Sequence, residues 1–308
     1  MNKYATTILN AERCNVCPRN CNVNRTTTVG FCGAPNIAVV SKIMVHNYEE
    51  PIISNIFEDK PTTGKKGCGA IFFSGCNLKC LYCQNYEISN SCSGTKFTSK
   101  ELANEIKKLE AQNVACIDLV TPTHFVKQII EALNIYKPKI PIVYNTSGYE
   151  KVETIKALEG YVDIFLFDFK YTSKVIAKEY SMAQNYPEIC KNALLEAKKL
   201  IKNDVFEGRL LKKGIIIRHL LLPNNAKEGI EILDFIYSNL GKDSIVSLMN
   251  QYVPMGKAPH HPVLKNKTKK LEYKLLVSHA KKLDMPNVFI QDEESASSYY
   301  TPDFSSLY

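Results

Sequence analysis

Cys76, Cys80 and Cys83 stand in the run Ile71-Phe-Phe-Ser-Gly-Cys-Asn-Leu-Lys-Cys-Leu-Tyr-Cys-Gln-Asn85, so a C-x3-C-x2-C spacing delivers three thiols to one short loop. Thiolates are soft ligands that suit zinc and iron–sulfur clusters. A structural four-iron cube takes four cysteines, so a site built from three keeps one iron open to a ligand that is not protein. The competing readings are a zinc knuckle completed by Cys68 or Cys92, and thiols that only pack in a core. Zinc ribbons usually pair two C-x2-C hooks, whereas this run has one. Its position also favours chemistry: an apolar strand leads into Cys76, and α/β proteins place reactive groups in loops at the C-terminal ends of strands.

A second set, Cys14, Cys17, Cys21 and Cys32, follows a C-x2-C-x3-C-x10-C pattern. Four thiols so close in sequence point to a metal site. A closed tetrahedral zinc would staple an arm too short for its own core. An auxiliary iron–sulfur cluster would relay electrons or bind substrate. Both ions accept four thiolates, so the spacing admits either.

These groups need elements to hold them. From residue 69 onward, apolar runs at Ala70–Ser74, Ala115–Val120, Ile140–Asn145, Val162–Lys170, Gly214–Leu221 and Ser244–Met249 alternate with helix-period segments. The helical segments are Ser99–Ala111, Thr123–Asn134, Tyr149–Leu158, Tyr186–Lys202 and Lys227–Leu240, with Ser99 placed as the first N-cap. Continuous rather than alternating apolar strands indicate a parallel sheet covered on both faces, and repeated β-α units suggest a partial or complete barrel. After residue 250, Pro254, Pro259 and Pro262 mark a loop, Leu264–Leu283 reads as one helix and Val288–Gln291 as a short strand. The polar tail from Glu294 is expected to cover the open side or bottom of the barrel. The division is therefore a Cys-rich arm over residues 1–68, a barrel over 69–250 and an extension over 251–308.

At 308 residues and 45% hydrophobic content the chain can bury a full core without metal. Its 11 cysteines lie behind a start that lacks the apolar core of a signal peptide, so reduced thiols in the cytoplasm are expected. No run reaches the length of a membrane span. A net charge of +8 spread along helices does not indicate nucleic-acid binding.

Several strand ends carry polar groups where a barrel presents them to a ligand. Asn145-Thr-Ser-Gly148 could contact a cofactor through Asn145 and Thr146, or merely cap a helix. Asp168 and Lys170 end an apolar strand, where charges are costly without partners. Two residues apart on a flat strand they stand too far apart to pair with each other, which favours a ligand. Arg218 could clamp a carboxylate, while the alternation of a strand sends His219 to the opposite face. Thr121 and Thr123 follow the second strand with His124, and Cys116 and Cys190 read as small core residues.

The cysteine loop, with Tyr82 before its third cysteine and Gln84-Asn85 after it, resembles the signature of the radical S-adenosylmethionine (SAM) superfamily. Together with Cys17-Pro-Arg-Asn-Cys21, Gly30-Phe-Cys-Gly33, Val120-Thr-Pro-Thr-His124, Tyr144-Asn-Thr-Ser-Gly-Tyr149 and Gln251-Tyr252, it resembles one branch: uncharacterised proteins similar to pyruvate formate-lyase activating enzyme. The resemblance implies an α/β fold built as a six-stranded partial barrel. It implies a [4Fe-4S] cluster on Cys76, Cys80 and Cys83 whose open iron is chelated by SAM. It also implies a SAM pocket bordered by Tyr82, Thr121, Thr123, Asn145, Thr146, Asp168, Lys170 and Arg218. Where most of the superfamily has Gly-Gly-Glu, this chain has Thr121-Pro-Thr123, a departure at the segment that holds the SAM amino group. The implied activity is reductive cleavage of SAM by an enzyme fed by a donor such as flavodoxin or ferredoxin, with Phe72, Tyr82 and Phe169 as an apolar pocket wall. Its target is a small molecule or peptide, or RNA, or else a partner enzyme on which a glycyl radical is installed. The reading from a different class is a non-catalytic metal-binding or redox-sensing protein.

Overall fold

The strands are β1 (Ala38–His46), β2 (Cys68–Phe73), β3 (Thr95–Phe97), β4 (Cys116–Val120), β5 (Ile142–Thr146), β6 (Ile164–Asp168), β7 (Val205–Glu207), β8 (Leu210–Leu220), β9 (Ile245–Met249) and β10 (Val288–Ile290). In the computed structural model, which describes residues 1–57, 64–291 and 302–308, they form one ten-stranded sheet. Its order is β10-β9-β8-β6-β5-β4-β2-β1-β3, with β7 on β8. From β2 to β10 every ladder on that path is parallel. β1 runs antiparallel on β2, and β3 antiparallel on β1. Among the described residues no ladder joins β10 to β3, so the sheet is a partial barrel rather than a closed one.

β2 and β4 are buried along their whole length, which is why their sequences are apolar apart from Asp118 in β4. Helix α3 (Tyr86–Ser91) follows the cysteine loop, and helices α4 (Ser99–Ala111), α5 (Val126–Ile135), α6 (Val152–Ala157), α8 (Tyr186–Leu200) and α9 (Ala226–Leu240) occupy the expected connections. Thr98, not Ser99, caps α4: its hydroxyl accepts from the Glu101 N–H at 3.3 Å while the Glu101 carboxylate takes the Thr98 N–H at 2.8 Å. A capping box needs its first member three residues before the glutamate, and that member is Thr98. The helix expected from Leu264 begins only at Lys270 (α10, Lys270–Lys282). The chain before it turns on His261, whose Nδ1 accepts the N–H groups of both Val263 and Leu264 at 3.2 Å.

Three elements outside the expected pattern position the site. Helix α1 (Lys3–Asn10) packs on α5 and α6. Helix α2 (Pro51–Ser54) places Ile52 and Ile53 in one buried cluster with Cys68, Cys116, Val143, Ile164 and Ile245. Those partners begin the barrel strands, so α2 plugs the N-terminal end of the barrel. Helix α7 (Lys174–Ser181) follows β6. The sheet runs through all three expected segments, since β1 lies before residue 69 and β10 after residue 250. Most of the tail from Glu294 lies outside the described residues. Beyond it, Phe304 meets Phe72 edge-on at 5.6 Å, and Leu307 accepts the Ile43 N–H at 2.7 Å on β1.

Candidate functional site

Side chains alternate along a strand, so one face of each barrel strand points inward. Register places Phe72 beside Val120, Val120 beside Asn145, Asp168 beside Arg218 and Arg218 beside Ser247. These residues line one cavity of about 1180 Å³, together with Cys76, Cys80, Cys83, Tyr82, Thr121, Thr146 and Lys170. The lining also takes residues from segments outside the barrel strands, among them Tyr48, Phe57, Phe206 and Met255, and Phe289 from the edge strand β10. Thr123 alone among the expected cofactor contacts lies off the cavity wall. Phe169 also lies off it: fully buried, it packs edge-on against Phe235 of α9 at 5.6 Å, because alternation turns it outward.

The loop after β2 brings all three cysteines to the cavity rim. Cys76 Sγ accepts the Leu78 N–H at 3.3 Å, and Cys80 Sγ accepts the Ser181 hydroxyl at 3.0 Å. That hydroxyl contacts Tyr171, whose hydroxyl in turn meets that of Tyr82 at 2.6 Å. Gly75 (φ +83°) cannot be replaced freely, since a Cβ there would stand 2.6 Å from the Cys32 carbonyl. Burial pushes the Cys83 thiol up to about 12 and raises Cys76 as well, aided by the neighbouring Cys80. Thiolates in so buried a place need adjacent positive charge, which a bound metal supplies. The donor set therefore fits an iron–sulfur cluster. Cys68 is no fourth ligand: it starts β2 at the far end of the barrel, with its sulfur 3.2 Å from that of Cys116.

Asp168, Lys170 and Arg218 form a network. Arg218 Nε donates to Asp168 Oδ1 at 2.8 Å, and Lys170 Nζ donates to Asp168 Oδ2 at 2.7 Å. The pairing of Asp168 with Lys170 differs from the sequence reading, and the reason is local. β6 ends at Asp168, so the chain turns and the lysine folds back. Arg218 also reaches Asn145 Oδ1 at 2.7 Å and Glu49 Oε2 at 3.2 Å. Burial alone would raise the Asp168 carboxyl, but Arg218 and Lys170 outweigh it and hold it below its ordinary value.

Thr121 stands at φ +57°, an uncommon conformation for a β-branched residue, with its N–H on the Asn145 carbonyl at 3.0 Å. The hydroxyls of Thr123 and Thr146 both donate to Glu150 Oε1, a carboxyl that burial raises to about 7. His124 Nε2 meets the Ser74 carbonyl at 2.7 Å, and burial lowers its pKa to about 3, which favours the neutral ring. His219 Nδ1 meets the Phe169 carbonyl at 2.9 Å on the outer face, as strand alternation requires.

The amino-terminal arm gathers Cys14, Cys17, Cys21 and Cys32 around a cavity of about 10 Å³. N–H groups of Arg19, Phe31 and Ala34 point at the sulfurs of Cys17, Cys21 and Cys32. As they stand, no three His, Cys, Asp or Glu side chains among the described residues group closely enough to grip a single ion. Arg19 ties this arm to the cysteine loop, donating to the carbonyls of Asn77 at 2.7 Å, Met182 at 2.6 Å and Ser181 at 3.2 Å. The sequence reading passed over Arg19, Glu49, Glu50, Asp118, Glu150 and Ser247. Asp118 carried a signal, a carboxylate inside a buried strand. Glu49 and Glu50 lay in a segment with no periodicity.

The radical SAM superfamily model matches residues 70–236. An uncharacterised protein of Methanocaldococcus jannaschii, MJ0674, is 31% identical over 290 residues, covering 90% of this chain and 77% of the relative. A second from the same organism, MJ0808, is 25% identical over 76% of this chain and 69% of its own length. The chain belongs to the radical SAM superfamily. Among solved structures, Streptococcus suis SuiB bound to its precursor peptide SuiA aligns at TM-score 0.49 and 13% identity, over 70% of this chain and 46% of that one. Methylornithine synthase (PylB) aligns at TM-score 0.47 and 17% identity, over 70% and 60%. The chain thus spans roughly half the length of those solved chains. No helix among the described residues is long and apolar enough to cross a membrane.

Proposed function

We propose that this chain is an enzyme that holds a [4Fe-4S] cluster on Cys76, Cys80 and Cys83 and SAM between that loop and the strand ends. The observation that carries the reading is the convergence of the three cysteines on the rim of the cavity that Tyr82, Thr121, Asn145, Thr146, Asp168, Lys170 and Arg218 also line. When bound, cluster and SAM supply reductive carbon–sulfur cleavage to a 5′-deoxyadenosyl radical that takes hydrogen from substrate. The residues bind, orient and exclude water. Lys170 and Arg218, held by Asp168, present N–H donors to a carboxylate. Tyr82 offers a ring face to the nucleoside, its hydroxyl being engaged by Tyr171. Phe72, Val120 and Leu220 give the chamber the apolar walls that protect a radical.

The target we favour is a molecule or peptide side chain contained within the barrel. Support comes from α2, which closes the lower end. Activation of a glycyl-radical partner, the reading suggested by the branch resemblance, would need a mouth that admits a folded loop. The four cysteines of the arm are proposed as a second metal site, zinc or an auxiliary cluster. Metal analysis of the full chain beside Cys17→Ser distinguishes the two.

The test is 5′-deoxyadenosine formation by anaerobically reconstituted, reduced protein with SAM, native against Cys80→Ala. Product that vanishes in the variant supports the reading. No product from protein with a verified cluster and with no SAM binding would replace it with a metal-binding or redox-sensing role.

A further inference from the structure

The cavity wall carries Glu49, Glu50 and Asp168 beside Lys170, Arg209 and Arg218, and Asp118 is buried against Asn145 of that wall. Asp168 is paired twice, by Arg218 and Lys170, and Glu49 is paired by Arg218. Glu50 and Asp118 have no ion-pair partner among the described residues. Glu50 lies on the cavity wall at the entry to α2. Asp118 lies on the inner face of β4, one inward step below Val120. It is 0% exposed; Asn145 Nδ2 donates to its Oδ2 at 3.3 Å, and its Oδ1 has no partner. Ser247, 1% exposed on the same wall beside Glu50, also lacks a well-formed hydrogen bond. Each buried polar atom left this way costs about 1–3 kcal/mol unless a ligand meets it.

We propose that Glu50, Asp118 and Ser247 receive a protonated amine or guanidinium group at the end of the substrate. The inference rests on the radical SAM reading and names the substrate class for the same cavity. Such a group carries only donors, and it would add a direct ion pair to Asp118 and Glu50, which have Arg218 nearby but form no salt bridge with it. An anion would meet Glu49, Glu50 and Asp118 together. Phe72, Val120, Leu220 and Met249, at or next to the C-terminal ends of their strands, line the same chamber and suit an alkyl stem. The cysteines mark the rim end. At about 1180 Å³ the cavity exceeds the ~300–1,000 Å³ of an ordinary ligand pocket, which leaves room for a nucleoside cofactor and a second molecule. Burial raises the carboxyl of Glu50 to about 7 and raises that of Asp118, and a cation bound between them would favour the charged form of both.

The experiment titrates the anaerobically reconstituted full chain with agmatine, n-butylamine and butyrate by calorimetry, with and without saturating SAM, and measures SAM binding separately by equilibrium dialysis. Native protein is expected to bind agmatine and n-butylamine and not butyrate. Asp118→Asn and Glu50→Gln are each expected to weaken the cations by about tenfold to a hundredfold while leaving SAM affinity in place. Glu50 lies at the cavity wall and is only half-buried, so its variant keeps the test open if Asp118→Asn fails to fold. The proposal is overturned if the cations do not bind SAM-loaded protein, if both folded variants bind them like the native chain, or if the variants lose SAM instead. Protein that binds no SAM at all would overturn the radical SAM reading itself.

Discussion

Arg218 on β8 and Asp168 on β6 are register neighbours whose side chains meet at 2.8 Å inside the barrel, the guanidinium 12% and the carboxylate 21% exposed. A pair so placed is costly to break from one side, because the remaining charge stays buried. Arg218→Met should therefore lower unfolding stability by about 3 kcal/mol in urea titrations, leaving Glu49 unpaired and Asp168 with Lys170 alone. Adding Asp168→Asn should recover part of that loss. A single variant as stable as the native chain would show that the network carries no structural weight.

Arg19 is a positioning residue for the cysteine loop. Its guanidinium lies 3.8 Å above the Phe31 ring and donates to carbonyls of both the cysteine loop and the end of α7. A lysine offers one compact charge in place of this planar fork. In reconstituted protein, Arg19→Lys and Arg19→Met should both shorten the lifetime of the cluster absorbance under a chelator. Lifetimes equal to the native value in both variants would mean that the arm does not brace the loop.

His219 gives a pH signature remote from the cysteines. Burial lowers its pKa from 6.5 to about 4, against the Phe169 carbonyl, which favours the charged form; Lys170 lowers it further and Asp168 raises it. The unfolded chain takes up this proton near 6.5 and the folded chain only near 4, so stability contributed here is present above 6.5 and is lost as pH falls toward 4. Between about pH 7 and pH 5 the loss should be ~2 kcal/mol. His219→Asn, which retains a donor for the Phe169 carbonyl, should remove that component. The check is urea unfolding of both proteins at the two pH values, and equal losses in the two would refute the assignment.

The barrel strands were legible because burial on both faces writes itself as mainly apolar runs without alternation: the runs from Ala70 and from Ala115, the latter broken only by Asp118, became β2 and β4 within a few residues. The cysteine loop was legible for a different reason, since three thiols in one turn can face one point whatever surrounds them. β1 escaped because its continuation, Asn47 to Glu50, has no period and its partner strand follows a plug helix of four residues. Glu150 escaped because its partners, Thr123, Tyr144 and Thr146, come from separate elements that only the parallel register brings together. Lys170 was read as unpaired because its strand was extended two residues too far.

Gly148 should be the least replaceable glycine at the site. It stands at φ +79°, and a Cβ there would lie 2.3 Å from the Asp168 carbonyl oxygen, 2.9 Å from Cys190 Sγ and 3.0 Å from the Phe167 ring. The nearest of these is backbone at the end of β6, which cannot step aside without moving the carboxylate that Arg218 and Lys170 hold. Gly160 provides the control, with φ +81° and nothing within 4 Å of a built Cβ. Gly160→Ala should cost only the conformational penalty of a left-handed residue, roughly 1 kcal/mol. Gly148→Ala should add a steric cost to that, reaching about 3 kcal/mol or more, and should weaken SAM binding through the displaced Asp168. Thermal unfolding of the two variants side by side decides the matter: equal shifts would mean that the close approach at Gly148 relaxes freely, and that Asp168 is not fixed by the turn beneath it.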